Sequence, residues 1–191
     1  GKVVFQEFKN VKSSLEVHQT KKRADYLLLN QRANHNYYTA NFETSDQLGI
    51  KGMIRLEEYK IRLEGGFREF RNYIYLDSLV SPQQEEEAIT SFYASLKKDF
   101  VFLKHWNFKN TVLFQNFSEE EVIPLPSLTS YHSLYYENIV FKKSLTLQAG
   151  ADLYYIGKYN GYAYSPSTAQ FHLRNSNQKL GNTLQLDLFL N

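Results

Sequence analysis

The stretch LTLQAGADLYYI, Leu145 to Ile156, constrains the fold of this chain more than any other. Its odd positions are Leu145, Leu147, Ala149, Ala151, Leu153 and Tyr155. Its even positions are Thr146, Gln148, Gly150, Asp152, Tyr154 and Ile156. A period of two is the signature of a β-strand whose two faces meet different surroundings, because successive side chains point to opposite sides. Twelve residues at about 3.3 Å each reach roughly 40 Å, well beyond the five or six residues of an ordinary strand. A strand crossing a bilayer needs about 9–11 residues tilted near 45°.

The same alternation recurs along the chain. Leu48, Ile50, Gly52, Ile54 and Leu56 oppose Lys51, Met53, Arg55 and Glu57. After a tight reversal at Glu57-Glu58, Tyr59, Ile61, Leu63, Gly65 and Phe67 oppose Lys60, Arg62, Glu64 and Arg68. Leu184, Leu186, Leu188 and Leu190 oppose Gln185, Asp187 and Phe189. Less regular segments at 11–19, 24–32, 36–43, 70–76, 106–117 and 131–141 also read as strands, around a dozen in all. The segment from Ser81 is ambiguous: Ser81-Pro82-Gln83-Gln84 could open a helix, yet Phe92, Ala94 and Leu96 alternate with Tyr93, Ser95 and Lys97. The strand-like neighbours favour a loop to Glu87 followed by a strand.

Connections alternate in length. Tight turns are expected at Glu57-Glu58, Lys97-Lys98-Asp99 and Lys142-Lys143-Ser144. Between them run the long segments DSLVSPQQEEEA, SEEEVIPLPSLTS and GKYNGYAYSPSTAQ. In an up-and-down antiparallel sheet, alternation places all tight turns at one end and all long loops at the other. Outer-membrane barrels have this layout. A soluble sandwich also alternates, but with shorter strands and more uniform loops. The expected fold is therefore all-β: an antiparallel up-and-down transmembrane β-barrel. A soluble β-sandwich or lipocalin-like binding domain is the rival.

Composition fits this expectation. The chain has 15 Tyr and 14 Phe against one Trp, with a mean hydropathy of −0.49. Its apolar residues are spread thinly and regularly. No apolar run reaches the roughly 18 residues of a membrane helix. With 22 basic and 20 acidic residues, no strong field argues for nucleic acid. The absence of cysteine excludes disulfide scaffolds, Cys-ligated zinc and thiol nucleophiles. The chain begins at Gly1, which reads as a processed, tagged or partial chain.

In a barrel the faces acquire roles. Lys51, Arg55, Lys60, Arg62, Glu64 and Arg68 are candidates to line a pore, as are Gln148, Asp152, Gln185 and Asp187. Such residues also serve as cross-strand ion pairs that fill an interior. Leu145, Leu147, Ala149, Ala151, Leu153, Leu184, Leu186 and Leu188 are expected to face lipid. Tyr154, Tyr155, Tyr162 and Tyr164 are expected at an aromatic rim. The first hairpin is net basic on its polar face, which predicts a weak anion preference.

Nothing in the sequence calls for catalysis, a metal or a cofactor. His18, His35, His105, His132 and His172 have no metal-ligand spacing. His132 and Ser133 are neighbours on a strand, so they point to opposite faces and cannot pair as base and nucleophile. Glu85-Glu86-Glu87 and Glu119-Glu120-Glu121 could offer oxygens to calcium, but solvated loops account for them.

The second half carries a further pattern. It comprises the Leu125-Pro126 pair, SLYYE at 133–137, FKKSL at 141–145, L-Q-x-G-x-D at 147–152, Y-x-P at 164–166 and L-G…D-x-F at 180–189. In this order and spacing, residues 72–191 resemble the putative porin family of Bacteroidota outer membranes; residues 1–70 match it in style alone. The resemblance implies outer-membrane location, passage of small hydrophilic solutes and contact with outer-membrane lipid. It also implies a signal peptide and earlier strands upstream, and further strands after Asn191, so that 1–191 form part of one barrel domain. A structural or accessory barrel bound to other outer-membrane proteins is the alternative within this class.

Overall fold

The computed structural model describes residues 2–8, 10–32, 37–141 and 145–191, and side chains for 10–30, 37–141 and 145–191. Nine strands make one antiparallel sheet: Lys2–Phe8 (β1), Val11–Lys22 (β2), Ser45–Leu56 (β5), Ile61–Arg71 (β6), Ile89–Phe102 (β9), Trp106–Phe117 (β10), Leu128–Val140 (β11), Leu145–Ile156 (β12) and Thr183–Leu190 (β15). The remaining strands form short pairs: Asn30–Arg32 (β3) with Tyr37–Thr39 (β4), Ile74–Leu76 (β7) with Pro82–Gln84 (β8), and Tyr162–Ser165 (β13) with Gln170–Leu173 (β14).

The sheet order is β1-β2-β5-β6-β9-β10-β11-β12-β15, each strand beside its predecessor in the meander. β1 and β15 are its edges, and the sheet does not close on itself. At one end of the sheet the adjoining strand ends are Phe8 and Val11, Leu56 and Ile61, Phe102 and Trp106, and Val140 and Leu145. The longer connections, after Lys22, Arg71, Phe117 and Ile156, leave from the other end, and three of them hold the short strand pairs. Alternating loop length thus gives the layout expected of it. β12 covers the expected Leu145–Ile156, β10 the expected 106–117, and the segment after Glu87 is a strand rather than a helix.

Several local expectations are corrected. β9 runs through Lys97, Lys98 and Asp99 to Phe102, and the chain reverses at Leu103-Lys104, which take φ of 49° and 64°. The reversal after β5 occupies residues 57–60, with Lys60 at φ 49°. Lys60 is therefore an exposed turn residue and does not belong to the wall of the sheet. The expected strand at 24–32 is a single helical turn, Tyr26–Leu29, followed by β3. The expected strand at 70–76 is interrupted at Asn72, φ 55°, between β6 and β7. The expected turn at Lys142-Lys143-Ser144 lies outside the described residues; the pairing of Val140 with Leu145 flanks it.

Three cross-strand pairs set an aromatic ring against a glycine: His18 with Gly49, Tyr93 with Gly66 and Tyr135 with Gly150. The fit is close. A Cβ on Gly66 would come within 2.6 Å of the Tyr93 ring and of the Ile50 carbonyl oxygen. Rings laid over glycines in this way fill the gap left by the missing side chain and pin the register of the sheet.

Candidate functional site

Direct cross-strand partners share a face, so the register sorts every strand residue onto one of two surfaces. Arg55 pairs with Arg62, Met53 with Glu64, Lys51 with Gly66 and Gly49 with Arg68. Asp152 pairs with Ser133 and with Asp187, Gln148 with Glu137, and Tyr154 with Gln185. Followed across β9 and β10, these chains of partners put Lys51, Arg55, Arg62, Glu64, Arg68, Gln148, Asp152, Gln185 and Asp187 on one face. Leu145, Leu147, Ala149, Ala151, Leu153, Leu184, Leu186 and Leu188 are on the other.

The apolar face is uncovered. Ile54, Leu96, Phe92 and Leu188 are 47%, 43%, 59% and 80% exposed, whereas a sandwich lays a second sheet over the face that holds its core. Aromatic residues on this face fall in two bands. Near the short turns Phe102 stacks on Trp106 and Trp106 meets Tyr136 edge-on, with ring centroids 6.4 and 5.6 Å apart. Towards the long loops Phe67 packs on Phe92 at 4.9 Å. From Phe92 to Phe102 is ten strand steps, about 33 Å, or about 23 Å of height at a 45° tilt; the apolar band of an outer-membrane barrel is about 25 Å. Polar side chains on this face pair locally. Lys98 turns to the Tyr59 carbonyl in the short turn, while Asn110 meets His132 Nδ1 at 2.7 Å. His132 and Ser133 do face opposite ways, Ser133 being buried between Lys109 and Asp152.

The polar face is divided by charge. Across β2 to β10 it carries Lys12, Lys22, Lys51, Arg55, Arg62, Arg68, Lys97 and Lys109 against Glu16, Glu64 and Asp99. Across β11, β12 and β15 its charges are Glu137, Asp152 and Asp187, all acidic. In the basic half Glu64 accepts from Lys51 Nζ at 3.1 Å and from Arg62 at 2.8 Å. With both cations more than a third exposed, each pair adds little stability, and its consequence is the fixed position of Glu64. Arg68 lies over the Tyr93 ring at 4.7 Å. In the acidic half Tyr131 donates to Asp152 at 3.1 Å, and its ring packs on Tyr154 at 4.9 Å.

Above the polar face the long loops fold together. Ile89 and Phe117, at the ends of β9 and β10, are buried against Val122 and Ile123 of the 118–127 loop, with Phe70, Tyr73 and Tyr75 around them. The Tyr162 hydroxyl donates to the Val122 carbonyl at 3.3 Å, and Gly161 N–H to the Pro124 carbonyl at 3.2 Å. Burial pushes the phenols of Tyr73 and Tyr162 up; for Tyr162 the adjoining Tyr73 raises it further, keeping both neutral. Glu43 ties the first long loop to the second through Gln84 and Asn72. Tyr162 and Tyr164 therefore sit in the loop layer beyond the strands, Tyr164 against Phe171 at 5.3 Å. Tyr155 remains on the apolar face beside Leu184. Sequence reasoning missed this small core because Val122 and Ile123 stand in a segment dominated by carboxylates and prolines.

Among the described residues no group of three His, Asp or Glu is placed to hold a metal ion. A family model described as a putative porin matches residues 2–191, extending the likeness through the first 70 residues. No curated protein matches the chain.

Proposed function

Because the chain belongs to the putative porin family, we propose that it contributes its sheet to an outer-membrane β-barrel through which small hydrophilic solutes diffuse. The observation that carries this is the two-faced meander. One face is apolar and exposed across the eight strands from β2 to β15 whose side chains are described, the other is charged, and the short turns among the described residues lie at the same end. In hydrocarbon a sheet must leave no backbone group unpaired, so such strands span lipid as part of a closed barrel. The apolar face then meets outer-membrane lipid and the polar face an aqueous lumen. Such a pore needs no catalysis, no metal and no cofactor, and offers nothing to nucleic acid. Full-length protein purified in detergent and added to a planar bilayer is expected to give stable, stepwise conductance. Folded, inserted protein without steps would overturn this, as would a chain that stays monomeric in plain buffer.

The loop core favours a second reading, in which the lumen is narrow or plugged and the barrel serves a larger outer-membrane assembly. Replacing Val122 and Ile123 by serine removes the apolar contacts that hold the 118–127 loop over Ile89 and Phe117. In an open pore restricted by this loop, the double variant is expected to raise single-channel conductance and its noise. Unchanged silence in the variant, with stoichiometric copurification of other outer-membrane proteins from the wild type, would favour the accessory role.

A further inference from the structure

The basic half of the polar face carries a half-open hollow of about 380 Å³, lined by Lys51, Arg62, Glu64, Arg68, Ser91, Tyr93 and Lys97 among others. That is within the size range of small-molecule sites. Its charge is not balanced from within. Glu64 is its one carboxylate and is already held by Lys51 and Arg62. Among the described residues no carboxylate lies within ion-pairing distance of Arg68 or Lys97. Arg68 is oriented by the ring beneath it, and that ring is pinned by Gly66, so the guanidinium is placed before any ligand arrives. Gly66 is also the middle residue of β6, which puts the hollow half-way up the sheet.

We infer that this hollow is a binding station for a small multivalent oxyanion of the phosphate class. A guanidinium fork presents parallel donors that match phosphate oxygens, while Lys97 and Lys51 supply point charges and the buried Ser91 and half-buried Ser95 are further donors. A solute held there lies on the polar face beside the acidic half, so Asp152 and Asp187 repel it laterally and keep it on the basic wall. The station deepens the porin reading and rests on it for its place in a pore, but its chemistry can be tested apart from conduction.

The test is a calorimetric titration of the detergent-solubilised full chain with inorganic phosphate, glucose 6-phosphate and glucose. Saturable binding of either phosphate and none of glucose is expected; binding of both phosphates marks an open site, binding of inorganic phosphate alone a closed one. Arg68→Gln with Lys97→Gln should weaken it at least about tenfold, as loss of two charge-assisted contacts implies. Asp152→Asn should leave it equal or tighter. Absence of phosphate binding overturns the station, as does equal binding by the double variant. In parallel, phosphate on either side of a conducting bilayer should lower chloride current in the wild type and not in the double variant. A chain that binds phosphate but never conducts would keep the station and sink the pore; one that conducts but ignores phosphate would do the reverse.

Discussion

Arginine at position 151 is expected to cost about 2–4 kcal/mol of folding stability in lipid, whereas arginine at position 148 costs less than about 1 kcal/mol. The two residues are three apart on β12 and differ in face. Ala151 lies between Leu134 and Leu188 on the apolar side. Gln148 lies opposite Glu137, to which its amide already donates, and an arginine there meets a carboxylate. If the apolar side meets lipid as proposed, a guanidinium at mid-height there must either shed its water or drag water and headgroups inward. The penalty depends on depth, so Leu145→Arg, beside the short-turn end, should cost only about 0–1 kcal/mol. Chemical unfolding of the protein in vesicles reads all three. A soluble core facing the same side gives no such steep dependence on bilayer depth, and equal costs at 148 and 151 would remove the assignment of faces.

That assignment was legible in the sequence because two solvents write a two-residue period into any strand that separates them. Strands β5, β6, β12 and β15 carry it cleanly, and their faces follow from parity alone. Parity fails where local sequence is neutral. Lys97-Lys98-Asp99 looks like a turn because three charges stand together. In the folded chain Lys97 and Asp99 project onto the polar face, and Lys98, the odd one out, reaches along its stem to the Tyr59 carbonyl. The true reversal at Leu103-Lys104 has no Gly, Asn or Asp to announce its positive φ; pairing of β9 with β10 on both sides imposes it. Lys60 was misplaced for the same reason, since its positive φ belongs to a four-residue turn that the acidic pair before it does not disclose.

The hollow was only half legible. Lys51, Arg62, Glu64 and Arg68 share a hairpin and were visible as a polar face. Lys97 and Tyr93 join them only through the pairing of β6 with β9, across the unpredictable loop from Asn72 to Ala88. The charge division of the polar face is likewise a property of the sheet order. No window of sequence contains both the basic strands and the acidic ones.

The glycine–aromatic pairs give the second large effect, and they divide into two kinds. At Gly150 an added Cβ would stand 2.4 Å from Tyr135 Cβ, 2.5 Å from the Leu134 carbonyl oxygen and 2.7 Å from Tyr135 Cα. These atoms belong to the neighbouring strand itself, so no side-chain rearrangement relieves them. At Gly49 the nearest atoms, at 2.2, 2.4 and 3.0 Å, all belong to the His18 ring, which can move only by giving up its packing over the glycine. Gly49→Ala is therefore expected to cost about 1–3 kcal/mol with His18 present and less than about 0.5 kcal/mol in a His18→Ala background. Gly150→Ala should cost at least as much as the overpacking range, about 1–3 kcal/mol, and should keep that cost in a Tyr135→Ala background. The measurement is a pair of double-mutant cycles on unfolding free energy in vesicles. Relief at 150 equal to that at 49 would mean that β11 and β12 are not in the register that sets Tyr135 over Gly150. With that register would go the placement of Asp152 on the polar face, because a slip of one residue moves the whole strand to the other side.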